Sequence, residues 1–119
     1  MRQLEYPAVY RNFKNNYYAT MGIAEVKEVD IHKLDLEKGY MKATHTETGD
    51  KLTIEKTKSG EYVITSHNEK YKNEKFALYK TLYDDSGLYV RPLEMFLSEV
   101  DKEKYPDAKQ IYRFELVGY

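Results

Sequence analysis

The chain has 119 residues, with 19 Lys and Arg against 20 Asp and Glu, no Cys, no Trp and 13 Tyr. That length is expected to fold as one domain, residues 1–119, with a core that needs no staples. The missing Cys excludes a disulfide framework, a thiolate nucleophile and any Cys-ligated zinc or iron–sulfur site, and a formal charge of -1 argues against sequence-independent binding to a phosphate backbone, which draws on an excess of cations.

Two-residue alternation of apolar and polar positions runs through most of the chain and predicts strands. Val9 to Lys14 and Tyr17 to Val26 read as a hairpin turning at Asn15-Asn16, because Asn tolerates positive φ. In the second of these strands Tyr17, Ala19, Met21 and Ile23 share one face and Tyr18, Thr20 and Gly22 the other. A Gly inside a strand predicts a bulge or sharp bend at Gly22. Residues 25–37 alternate weakly at Val29, Ile31, Leu34 and Leu36 and read as a linker.

Tyr40 to Glu47, Lys51 to Thr57 and Glu61 to His67 follow, separated by Gly-containing turns, and predict a three-stranded meander. Its first strand, Tyr40–Glu47, is expected to present an open edge that a second copy could pair with. The polar run 67–75 reads as a surface loop. Phe76 to Tyr83 is apolar on both faces, as a central strand should be, and Leu88 to Arg91 returns beside it after the Asp84–Gly87 turn. Pro92 suits the first position of a helix, and Leu93, Phe96, Leu97 and Val100 give about two turns of apolar periodicity, predicting a helix that plugs a barrel end. Gln110 to Val117 is the last strand. No apolar run approaches the roughly 20 residues needed to span a bilayer, and the first residues lack the apolar centre of a secretory signal, so a cytoplasmic location is expected.

Two blocks, VYRNFKNNYYATMGIAE near the start and FALYKTLYDDSGLYVRPLEMFLSEV with the later YRFE, resemble the bacterial family catalogued as domain of unknown function 1653. Tyr10, Arg11, Phe13, Lys14 and Tyr17 fit its opening. Tyr79, Tyr83, Arg91, Pro92, Met95, Phe96, Arg113 and Phe114 fit the remainder, and the V-R-P-L-E-M-F run is the most specific part. Asn12 stands where that family usually has His, Tyr89 where it has Trp, and Tyr112 where it has Pro. The resemblance implies a compact, curved β fold with residues 26–65, the meander, as an insertion, and it implies no established activity. The composition fits a low-GC bacterial or phage gene.

Candidate chemistry is sparse. Asp84-Asp85 near Glu94 is the nearest approach to a carboxylate pair, but adjacent acids in a Ser-Gly turn usually serve the turn's own hydrogen bonds. His45, Glu47 and His67 could share the meander's strand ends, yet they lack the spacing of a metal site. No Ser lies in a nucleophile elbow and no Gly-rich loop precedes a helix. The stronger constellation is Arg with Tyr: Arg offers a planar fork for carboxylate or phosphate, and Tyr faces offer stacking.

These readings together predict a mainly β protein: a small SH3-like barrel with an inserted three-stranded meander and one short helix. The leading functional expectation is a non-enzymatic binding module that takes a protein or peptide partner on an aromatic groove. The alternative is a sensor or sponge for a small phosphorylated, nucleotide-like ligand. Arg11, Lys14, Tyr17, Tyr79, Tyr89, Arg91 and Arg113 are the candidate ligand-binding residues. No catalytic residue, metal or cofactor is expected, nucleic acid is disfavoured by the charge balance, and no membrane association is expected.

Overall fold

A computed structural model describes residues 2–27 and 33–118. Eight strands and two helical turns follow one another: β1 (Ala8–Asn12), β2 (Tyr17–Glu25), β3 (Met41–His45), β4 (Lys51–Lys56), β5 (Tyr62–Ile64), α1 (Asn68–Tyr71), β6 (Lys75–Thr81), β7 (Leu88–Pro92), α2 (Leu93–Phe96) and β8 (Phe114–Gly118). The sheet runs β5-β4-β3-β7-β6-β2-β1-β8, and β5 also pairs with β2. That extra pairing, parallel and carried by Ala24 with Tyr62 and Glu25 with Val63, closes β2 to β7 into a six-stranded barrel. β1 and β8 extend the sheet beyond the ring from the first half of β2.

Two cores result. The barrel interior packs Ala24, Ala43, Leu52, Ile54, Ile64, Phe76, Leu78 and Val90, with Tyr71 against them, so every strand of the ring contributes. The second core lies on the outer face of β6 and collects Leu4, Ala8, Tyr10, Tyr18, Ala77, Tyr79, Phe96 and Phe114. Alternation along β6 serves both: Phe76 and Leu78 face the barrel interior, Ala77 and Tyr79 the outer core. This double burial is why its sequence is apolar at both parities.

β2 reaches the two cores by a different device. Against β6, Thr20 pairs with Tyr79 and Gly22 with Leu78, so Met21 is an extra residue in a bulge. The bulge shifts parity by one: Tyr18 faces the outer core, whereas Ala24 faces the barrel interior. Gly22 is required there, because a Cβ would stand 2.9 Å from the Tyr62 ring. The bend expected at Gly22 is thus present. So is the hairpin turn, with Asn15 at φ 72.

Four expectations change. The meander is no appendage to a separate barrel, since β3, β4 and β5 are three of the six strands that close the ring. β3 offers no open edge, because β4 and β7 flank it on both sides; the outermost strand is β8. The expected two-turn helix is a single turn, and α2 does not plug the barrel. Phe96 instead covers the outer core, stacked on Phe114 at 4.1 Å and edge-on to Tyr10 at 5.3 Å. The run 67–75 contains α1, whose Tyr71 is buried against His45 and Phe76; one aromatic in a polar segment has no periodicity to announce it. Of the linker, residues 28–32 lie outside the described residues, and Leu36 bridges to Thr57 at its far end. Among the described residues, no helix is long and apolar enough to cross a membrane.

Candidate functional site

The outer core opens at one rim into a groove of about 280 Å³. Four cations line it: Lys14, Arg91, Lys104 and Arg113, with Glu47 as the one carboxylate. Phe13, Tyr105 and Phe114 supply its aromatic surface, and Phe13 packs on Tyr105 at 4.7 Å.

Local structure explains each position. Asn12 ends β1 and spends its side chain on the turn: Oδ1 accepts from the backbone N–H groups of Lys14 (3.1 Å) and Asn16 (2.9 Å), and Nδ2 donates to the Tyr18 hydroxyl at 3.1 Å. This fixes Phe13 and Lys14 at the groove mouth. Phe13 N–H donates to the Arg113 carbonyl at 3.0 Å and Arg113 N–H to the Ser98 carbonyl at 2.9 Å, so Arg113 enters from a backbone held on two sides. Arg91 is set by β7. Its Nε donates to the Tyr79 hydroxyl at 3.1 Å and its guanidinium lies 5.3 Å from the Phe114 ring centre. A guanidinium held by one nitrogen and one aromatic face keeps its terminal N–H groups for a ligand.

Glu47 comes from the β3–β4 turn. Thr46 N–H donates to the Val90 carbonyl at 3.0 Å, one residue before Arg91. The buried His45 ring accepts from the N–H groups of Glu47 (3.0 Å) and Thr48 (3.2 Å) through Nδ1. Desolvation lowers the His45 pKa, opposed by the nearby Glu74, Glu47 and Asp50 charges, so the ring stays neutral with its proton on Nε2. None of the ion pairs among the described residues involves Lys14, Glu47, Arg91, Lys104 or Arg113.

The Tyr hydroxyls beneath the groove stay protonated. Burial raises the Tyr79 pKa against the opposing pull of Arg91, and burial with the Tyr83 hydrogen bond raises that of Tyr18. They act as hydrogen-bond groups, not as bases.

Of the seven sequence candidates, Lys14, Arg91 and Arg113 converge on this groove. Tyr79 is buried below it and holds Arg91, and Tyr89 stacks on Tyr79 at 6.2 Å. Arg11 lines a neighbouring hollow with Gln110 and Glu115, and the exposed Tyr17 lines none of these hollows. Three further residues line the groove: Glu47, which the sequence offers only beside His45 and His67 in a set without metal-site spacing, and Lys104 and Tyr105, which sit in a charged stretch around Pro106 where nothing in the local pattern carries them to β7. Asp84 belongs to its own turn, accepting from Thr81 and Ser86 hydroxyls at 2.6 and 2.7 Å, which lowers its pKa. Among the described residues no group of three or more His, Asp or Glu is placed to hold a metal ion.

A second, more apolar groove of about 790 Å³ lies between the N-terminal segment and α2, lined by Leu4, Tyr6, Ile23, Leu93 and Leu97. Arg2 anchors that segment, donating to the carbonyls of Leu97 (2.9 Å) and Phe114 (2.6 Å).

Fold and site together define a small β-barrel domain with a cationic, aromatic-walled groove on an outer sheet layer. A family model for a protein of unknown function, DUF1653, matches residues 57–116, half of the chain, and the chain belongs to that family. The match takes in β5 to α2 and the start of β8, and so includes the last strand of the meander. The opening block, with Arg11 and Lys14, lies outside it but packs directly on matched residues, Tyr10 on Phe96 and Tyr18 on Phe114. Comparison with curated proteins and with solved structures gives no match.

Proposed function

We propose that this domain is a binding module, not an enzyme, and that its cationic groove takes a small phosphorylated ligand. The observation that carries this reading is the convergence of Arg91, Arg113, Lys14 and Lys104 on one hollow with a single carboxylate among them. Two Arg forks suit the oxygens of a phosphate, and a partly enclosed site strengthens each contact relative to bulk water. At about 280 Å³ the groove lies near the small end of the roughly 300–1,000 Å³ range of ligand pockets. The overall charge of -1 is no obstacle, because a ligand meets the local field.

Titration of the amide spectrum with phosphate-bearing compounds tests this. Shifts should concentrate at residues 12–14, 91 and 113, weaken with added salt, and require about tenfold more ligand in Arg113→Ala, equivalent to a loss of about 1.4 kcal/mol. No shift at millimolar ligand would overturn the reading.

A protein or peptide partner is the second reading, favoured by the larger apolar groove at Leu93 and Leu97. An apolar partner segment bound there would be lost in Leu97→Glu and indifferent to Arg113→Ala and to salt.

A further inference from the structure

We infer that Glu47 selects, among anionic ligands, those that carry a hydrogen-bond donor beside the phosphate: a sugar phosphate, free or as part of a mononucleotide. The inference rests on the phosphorylated-ligand reading and adds to it the part of the molecule that the phosphate contacts do not explain.

A groove built only to hold an anion has no use for a carboxylate, since a like charge opposes anion binding. Glu47 nevertheless lines the same hollow as Arg91 and Arg113 and is in no ion pair among the described residues. Its side chain stands exposed at the edge of the groove. The backbone there is not free to withdraw, because His45 Nδ1 accepts from the Glu47 N–H and the preceding residue, Thr46, donates its N–H to the Val90 carbonyl.

A ligand seated on the two guanidiniums covers part of this exposed carboxylate and displaces some of its water, so the carboxylate has to regain the hydrogen bonds lost there from the ligand or the groove. It can compete with phosphate for an arginine, which weakens anion binding, or accept from a donor on the ligand. An ionised carboxylate is acceptor-only, so its complement is a hydroxyl or an ammonium. A phosphate ester of a polyol presents both halves, an anion for the two guanidinium forks and adjacent hydroxyls for Glu47. An analogue lacking the donor covers the carboxylate without replacing the water hydrogen bonds it displaces, and binds less tightly for that reason.

Calorimetric titration with four probes tests the assignment: ribose 5-phosphate, adenosine 5′-monophosphate, phenyl phosphate and inorganic phosphate. Ribose 5-phosphate or the mononucleotide should bind at least tenfold more tightly than phenyl phosphate, which has the anion and a ring but no hydroxyl. Glu47→Gln keeps the shape and removes the charge; it should cut that ratio below threefold while phenyl phosphate binds as well or better. Preference for the mononucleotide over the free sugar phosphate would identify a nucleotide as the source of the recognised group, and equal binding the sugar phosphate itself. A ratio near one in the parent protein, or a ratio that survives Glu47→Gln, overturns the role of Glu47 and leaves phosphate binding standing. If no probe shows binding that Arg113→Ala weakens, the phosphorylated-ligand reading falls and this inference with it.

Discussion

The two cores of this domain are joined by strands β6 and β2 and differ in almost everything else. The barrel interior is largely aliphatic: Leu52, Ile54, Leu78 and Val90 are fully buried there, and their side chains have no polar atom to offer. The outer core is aromatic, with Tyr10, Tyr18, Tyr79, Phe96 and Phe114 in mutual ring contact. Aromatic rings of this kind carry a large apolar area and, in Tyr, a hydroxyl at the tip. Those tips reach the rim. The Tyr79 hydroxyl accepts from Arg91 and the Tyr18 hydroxyl from Asn12, so the packing that stabilises the outer layer also aims the groove's charged side chains. The barrel supplies a closed, rigid wall, and the site grows on the side where the core ends in oxygen atoms.

The largest effect should come from breaking the aromatic layer. Phe96→Ala removes the partner of both Phe114 and Tyr10 and should cost about 3–5 kcal/mol, enough to unfold much of the population. Leu52→Ala, in the barrel interior, should cost a comparable about 2–5 kcal/mol. Urea titration ranks the two losses, and amide shifts around Arg91 and Arg113 separate them. The milder Phe96→Leu should move those groove shifts at unchanged fold, whereas Leu52→Val should leave them in place. Groove shifts that follow the barrel substitution instead would dissolve the distinction between wall and site.

A smaller effect probes the junction of the layers. Gly22→Val places carbon atoms against the Tyr62 ring, where a Cβ alone already stands at 2.9 Å. The expected loss is about 1–3 kcal/mol, the usual range for overpacking, because the ring and the β2–β5 pairing beside it must shift. Hydrogen exchange should locate the loosening at Ala24, Glu25, Tyr62 and Val63, where the ring closes, and spare the β1–β8 pairing. Uniform loosening of all eight strands would mean that the bulge does not divide the two layers.

Much of this was legible in the sequence, and the failures have a common physical origin. Strand positions, the Asn15 turn, the bulge near Gly22 and the two-sided burial of Phe76–Thr81 follow from alternation and turn chemistry, which are local. That the sheet closes into a barrel was expected, but the strands that close it were not legible, since nothing in β5 says that it will pair in parallel with Ala24 and Glu25. The role of α2 was misplaced for the same reason: Leu93 and Phe96 announce an apolar face but not which of two cores receives it. At the site, Arg91 and Arg113 could be picked out because Arg is rare in this chain. Glu47 and Tyr105 reach the groove only through the parallel β3–β7 pairing and the packing of Tyr105 on Phe13, and a Lys-rich background hid Lys104.

Acidification should act on one layer only, and by the least. His45 lies at the end of the barrel interior, stacked on Tyr71 at 5.0 Å, and desolvation holds its pKa below the usual value of 6.5, with Glu74, Glu47, Asp50 and Lys70 as the charges that bear on it. The neutral ring accepts two N–H groups through Nδ1, which a protonated ring cannot do. Above pH 6.5 folded and unfolded chains are both neutral at this residue and its contribution is fully present. Below 6.5 the unfolded chain takes up a proton that the folded chain refuses, so stability falls with pH until the folded pKa is passed. Asp50, held down to about 2 by Lys70 and Tyr71, starts to matter only near the ordinary carboxylate range, well below the first part of that window. Denaturant midpoints measured from pH 7.5 to 5 should therefore decline, and His45→Gln, whose amide oxygen can accept but does not titrate here, should flatten the curve. The β3–β4 turn should loosen first on acidification, carrying Glu47 with it, while the aromatic layer, where burial pushes the Tyr18 and Tyr79 hydroxyls up and away from this range, should hold its exchange protection. A decline of equal slope in His45→Gln would remove His45 as its source.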